Sequence, residues 1–242
     1  MSRFLFPAHQ SSNMPQHIGI VACSAEGASL CYRTICLEGA ALMGEHDHPE
    51  VSMHTYSLAH YMNPLYENNW PGVAELLLAS AHKLAQIGAD FLICPDNTIH
   101  QVLPLVEPHS PRPWLHIAAE VAKEARRLDY KRLGVLGTRY LTESQVYPEK
   151  LQAAGLDYRI PEAPEREKIN QIIFAELVYG KFEPQSLEYF LGVIRRLAGQ
   201  GCDAVVLGCT EIPLLVTPDS SPLPTLDSTR LLARAALRKA VG

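Results

Sequence analysis

The segment from Leu84 to Asp90, Leu-Ala-Gln-Ile-Gly-Ala-Asp, returns from Leu197 to Asp203 as Leu-Ala-Gly-Gln-Gly-Cys-Asp, and each copy runs straight into a short apolar stretch. Continuing that register places Asp96 on Cys209, an offset of 113 residues. Two further echoes occur in the same order. Ile18-Gly19-Ile20-Val21 matches Leu133-Gly134-Val135-Leu136 at an offset of 115, and Pro113-Trp114-Leu115-His116 matches Pro224-Thr225-Leu226-Asp227 at 111. All βαβ units share a helix, glycine, strand grammar, so one echo would carry little weight. Three in order point to a duplicated architecture.

Short β-type runs alternate with helix-length amphipathic segments along the chain, the pattern of an α/β protein with mainly parallel sheets flanked by helices. Strands are expected at 18–21, 51–56, 91–94, 113–116, 133–136, 204–207 and 223–226. Helices are expected at 73–87, 117–128, 169–179 and 186–197. The echoes divide the chain into two similar, pseudo-symmetric lobes, 17–116 together with 227–242, and 117–226. Residues 1–16 read as a loose tail, because Phe4-Leu5-Phe6-Pro7 is too short for a signal-peptide core. Ligands of open α/β sheets sit beyond the carboxyl ends of the strands, so matched strand ends from facing lobes converge on one cleft. Asp96 and Cys209 are expected to face each other there.

The bulk composition narrows the function. With 47% hydrophobic and 19% charged residues the chain reads as an ordinary globular protein, and its net charge of -5 offers no basic stripe for nucleic acid. No apolar run approaches the roughly 20 residues of a membrane helix. Six cysteines, at 23, 31, 36, 94, 202 and 209, form no CxxC pair and no metal-ligand spacing. A reducing compartment, simplest as the cytoplasm, and no metal are expected.

Asp96-Asn97-Thr98-Ile99-His100 and Cys209-Thr210-Glu211-Ile212-Pro213 each follow a strand and open toward a helix. Backbone N–H groups at such turns favour anions, and a helix start is expected to lower the pKa of the Cys209 thiol. Cys94 and Cys202 read as structural. His100, one turn beyond Asp96, is a further candidate that is either a satisfied structural group or part of the same cleft.

These two segments resemble the paired signatures of the aspartate/glutamate racemase family. The resemblance spans about Ile18 to the C-terminus, with Leu136-Gly137-Thr138-Arg139-Tyr140 and Lys168-Ile169-Asn170-Gln171-Ile172-Ile173-Phe174 resembling the bacterial members in particular. It implies a cofactor-independent isomerase, commonly a homodimer, acting on a small-molecule amino acid or carboxylate. In that family two cysteines flank the substrate's α-carbon, one removing a proton and the other returning one to the opposite face. The resemblance makes Asp96 and Cys209 the catalytic pair. It makes Ser24, Asn97, Thr98, Thr138, Lys168, Thr210 and Glu211 substrate-binding positions, with Lys168 on the carboxylate.

The sequence departs from the family at three places. Asp96 stands where the first cysteine belongs. Ala28 lacks an expected hydroxyl in Ala22-Cys23-Ser24-Ala25-Glu26-Gly27-Ala28, and 54–62 contains no counterpart of the arginine that some members use on a distal carboxylate. An ionised Asp96 is a poor proton donor and repels a dicarboxylate. Three readings follow: an isomerase with an unequal Asp96/Cys209 pair, a binder that has lost catalysis, and a one-cysteine decarboxylase of the wider superfamily.

Overall fold

The computed structural model describes residues 14–242, so of the tail expected over 1–16, residues 1–13 lie outside the described residues. One lobe runs β1 (Ile18–Ala22), α1 (Ala25–Met43), β2 (Val51–Thr55), α2 (Leu58–Tyr66), α3 (Trp70–Gln86), β3 (Phe91–Ile93), α4 (Leu103–Val106) and β4 (Trp114–Leu115). The chain then passes through α5 (Ile117–Arg127), β5 (Arg132–Leu136), α6 (Arg139–Thr142), α7 (Val146–Ala153), β6 (Asp157–Arg159), α8 (Ala163–Ala175), α9 (Pro184–Gly199), β7 (Ala204–Leu207), α10 (Ile212–Leu215) and β8 (Thr225–Asp227), and ends in α11 (Ser228–Val241). Two four-stranded sheets result, ordered β2-β1-β3-β4 and β6-β5-β7-β8, with every pairing parallel. The two-lobed α/β architecture read from the sequence is the one observed.

The repeated heptapeptide has a physical role that is the same in both lobes. Its leucines, Leu84 and Leu197, are buried. Its glycines take positive φ, +100° at Gly88 and +83° at Gly201, which ends α3 and α9 without Cβ strain. The next N–H reaches back five residues in each case, Ala89 N to Leu84 O at 3.0 Å and Cys202 N to Leu197 O at 3.1 Å. Its aspartates then clamp the first strand of the lobe: Asp90 Oδ2 accepts from His17 N at 2.8 Å, and Asp203 Oδ1 accepts from Arg132 N at 3.3 Å.

Each sheet is covered on both faces. In the first lobe Ile18, Ile20 and Ile93 pack against α1 and α11, while Val21, Leu92 and Cys94 pack against α3. In the second, Leu133, Val135 and Val206 face α5 and α7, and Leu136, Val205 and Leu207 face α8 and α9. Helix α11 follows β8 of the second sheet yet seats Leu232, Ala233 and Ala236 on the first lobe's core. Strand β6, Asp-Tyr-Arg, is absent from the expected list because an edge strand with two exposed charged residues has no apolar signature; only its pairing with β5 defines it. Helix α8 begins at Ala163, earlier than expected, because Glu162 and Glu165 form a reciprocal capping box.

Candidate active site

Strands β3 and β7 occupy equivalent places in the two sheets, and the loops beyond their carboxyl ends carry Asp96 and Cys209. Both residues line one cavity between the lobes. Two close approaches shape it. A Cβ on Gly208 would lie 2.5 Å from Leu136 O, so only glycine lets the chain turn against β5 just before Cys209. A Cβ on Gly27 would meet Thr210 Cγ2 at 2.5 Å and Pro95 O at 2.6 Å, so the start of α1 packs against both cleft loops at once.

Hydroxyl pairs bridge the lobes on either side. Thr98 and Thr138 are 3.0 Å apart, and Ser24 and Thr210 are 3.4 Å apart. Ser24 and Thr138 also cap α1 and α6, accepting from Gly27 N and Leu141 N, which ties these side chains to rigid elements. Asn97, only 2% exposed, donates to Ser228 Oγ at 3.0 Å and accepts from Tyr147 at 2.7 Å. Ser228 in turn donates to Leu207 O. Asn97 is thereby locked to the second lobe at the point where the chain crosses back.

The chemistry is dominated by acidic groups that are largely withdrawn from solvent. Burial raises the Asp96 carboxyl to about 6, overcoming a hydrogen bond from Ile99 N that pulls the other way, and the Glu211 carboxyl adds to the rise. Cys209 stays a thiol. Burial pushes it well up, and Sγ donates to Glu211 Oε2 at 3.0 Å, a carboxylate that further disfavours the thiolate. This reverses the lowered pKa expected from the sequence. Helix α10 has only four residues, too short for a strong terminal field against an adjacent carboxyl. Thr210 also donates to Glu211, which is 4% exposed. Burial and the neighbouring Asp96 raise the Cys23 thiol as well.

Ser24, Asn97, Thr98, Thr138, Thr210 and Glu211 all line the cavity with Asp96 and Cys209. Lys168 does not. It lies on the exposed face of α8, and that helix turns Ile173 and Phe174 to the cavity instead. His100 is not in the cleft lining either. Its Nδ1 donates to Asp96 O at 2.7 Å and its Nε2 accepts from Ile117 N at 3.1 Å, so it is a neutral strut from the Asp96 loop to the start of α5. Burial lowers it to about 4, and it borders a second cavity with His116.

Cys23, Tyr147 and Ser228 carry no local signal in the sequence, since their roles come from partners 50 or more residues away. Helix α2 presents Leu58, Tyr61, Met62 and Leu65 to the cavity. That spacing is an apolar helical face and was legible. Among the described residues no group of three or more His, Cys, Asp or Glu converges to hold a metal, and no helix is long and apolar enough to cross a membrane.

Comparison with known proteins agrees with this architecture. Over 164 residues the chain is 26% identical to a Bacillus subtilis protein described as a broad specificity amino-acid racemase, covering 66% of this chain and 69% of that one. A crystal structure of a candidate Asp/Glu racemase from Yersinia pestis superposes with a TM-score of 0.87 at 29% identity, over 94% of this chain and all of that chain. An aspartate racemase homologue from Pyrococcus horikoshii superposes at 0.80 and 25% identity, again over 94% of this chain and all of its own. The family model for Asp/Glu/hydantoin racemases matches residues 18–236, and the chain belongs to that family.

Proposed function

We propose that the protein inverts the α-stereocentre of an amino acid or closely related carboxylic acid by direct proton transfer, with Asp96 and Cys209 as an unequal acid/base pair. The observation that carries this reading is the placement of the two side chains on equivalent loops of facing lobes, lining one cavity. Inversion requires a base on one face of the α-carbon and an acid on the other. Near neutral pH the pair rests in one productive state: Asp96, raised only to about 6, is mostly ionised, and Cys209 is protonated. Asp96 then takes the α-proton while the Cys209 thiol delivers its own to the opposite face. The pair is left as a carboxylic acid and a thiolate beside Glu211, and proton exchange with solvent restores it.

The reverse reaction starts from that less stable protonation state. Enantiomers have equal free energy, so kcat/KM is identical in both directions, and the inequality of the pair appears in kcat and KM taken separately. The substrate carboxylate is held in this reading by the paired hydroxyls of Thr98 and Thr138, of Ser24 and Thr210, and by N–H groups of the two loops. A panel of single-enantiomer amino acids in deuterium oxide tests the proposal. At least one should gain α-deuterium, and Asp96→Asn and Cys209→Ser should each slow this by about 10²- to 10⁴-fold. Exchange that survives Cys209→Ser unchanged would refute it.

A further inference from the structure

Resting on the isomerase reading, the geometry points to a monocarboxylate substrate whose α-substituent is apolar, uncharged and longer than a methyl group. An apolar wall of the same cavity comes from both lobes. Helix α2 turns one continuous face, Leu58, Tyr61, Met62 and Leu65, into the cavity. From the other side come Ile173 and Phe174 of α8, and Val178 beyond it. Residues at i, i+3, i+4 and i+7 of a helix share one side, so this wall is a property of α2's whole inner surface.

Charge points the same way. No lysine, arginine or histidine lines this cavity among the described residues, whereas Asp96 and Glu211 both do. The nearby cations are engaged elsewhere: Lys168 is exposed, and Arg139 stacks over Tyr140 and lies 4.0 Å from Glu167. A side-chain carboxylate would be stripped of water against alkyl and aromatic groups with two acids close by and no cation to pair with. An ammonium side chain would lose its water against the same wall. Leu58 and Val178 also border a further cavity whose lining mixes Met53, Tyr56 and Ala28 with Glu26, Ser29 and Thr55, so the apolar wall that meets the substituent is the one on α2 and α8.

The test measures α-proton exchange in deuterium oxide for L-phenylalanine, L-leucine, L-alanine, L-aspartate, L-glutamate and L-lysine. Phenylalanine or leucine should exchange about tenfold faster or more than each of the other four, the discrimination a pocket of this kind achieves. Aspartate, glutamate or lysine exchanging as fast as the apolar pair would overturn the inference and leave the isomerase reading standing. Exchange with none would defeat that reading instead. Competition binding of 3-phenylpropanoate and succinate would then decide the cleft's preference, with equal or tighter binding of succinate overturning it. Met62→Arg supplies a cation on a half-buried position of the wall. It should move the exchange ratio of aspartate to phenylalanine upward by about tenfold, and a folded variant with an unmoved ratio would also overturn the inference.

Discussion

Asp96→Asn should make the protein more stable at pH 7.5 while removing its proton-transfer activity. The carboxyl titrates at about 6 in the folded chain against an ordinary value of 3.8. A raised carboxyl means that the folded state binds the proton more tightly than the unfolded one. Its contribution therefore falls as pH rises from about 3.8 to about 6, and is fully unfavourable above that. At 1.36 kcal/mol per pH unit the whole effect is about 3 kcal/mol. Because the side chain is half-buried and partly open to the cleft, solvent screening reduces this to about 1–3 kcal/mol. The asparagine amide keeps an oxygen for the Ile99 N–H, so the local turn is retained.

For a chain of this length each kcal/mol moves Tm by about 2–4 °C, so the variant should melt roughly 2–12 °C higher at pH 7.5. The difference from wild type should shrink toward zero near pH 4. It must be read as a difference, because His100 and His116, held neutral by burial at about 4 and about 2, act in the opposite sense: their contribution is lost as pH falls below about 6.5. Paired melts of wild type and variant from pH 4 to 8 measure it. An Asp96→Asn protein that is equally stable or less stable at pH 7.5, or whose advantage does not depend on pH, would refute the burial argument and with it the assignment of Asp96 as a tuned base.

Cys23→Ala removes a thiol contact that lowers the Asp96 carboxyl, so the acidic limb of the exchange-rate profile should move to higher pH; an unmoved limb would count against contact between the two side chains. His100→Gln breaks the strut between Asp96 O and Ile117 N in a buried setting and should cost about 1–3 kcal/mol in denaturant unfolding, with activity falling as the Asp96 loop relaxes. Lys168→Ala should change the exchange rate by less than about twofold, as exposed substitutions away from the site do; a large loss would restore Lys168 as a carboxylate ligand.

The two lobes were legible because their duplication is written in residues whose roles are local. A leucine, a positive-φ glycine and a strand-clamping aspartate do the same work at Leu84–Asp90 and Leu197–Asp203 wherever the chain goes next. Asp96 and Cys209 stood out for the same reason, since each follows one of these units at a strand end. The face of α2 was legible in its spacing but not in its destination. What the sequence could not reveal is how the lobes meet. Asn97 finds Tyr147 because α7 packs against its loop, and Ser228 because α11 crosses back over the first lobe. Lys168 leaves the cleft because α8 buries Ile169, Ile172 and Ile173, which leaves Lys168 on its exposed side. The Cys209 thiol rises instead of falling because burial and the Glu211 carboxyl outweigh a four-residue helix. Local backbone grammar is carried by neighbouring residues, whereas the protonation state of a cleft depends on desolvation and on charges that only the assembled lobes bring together.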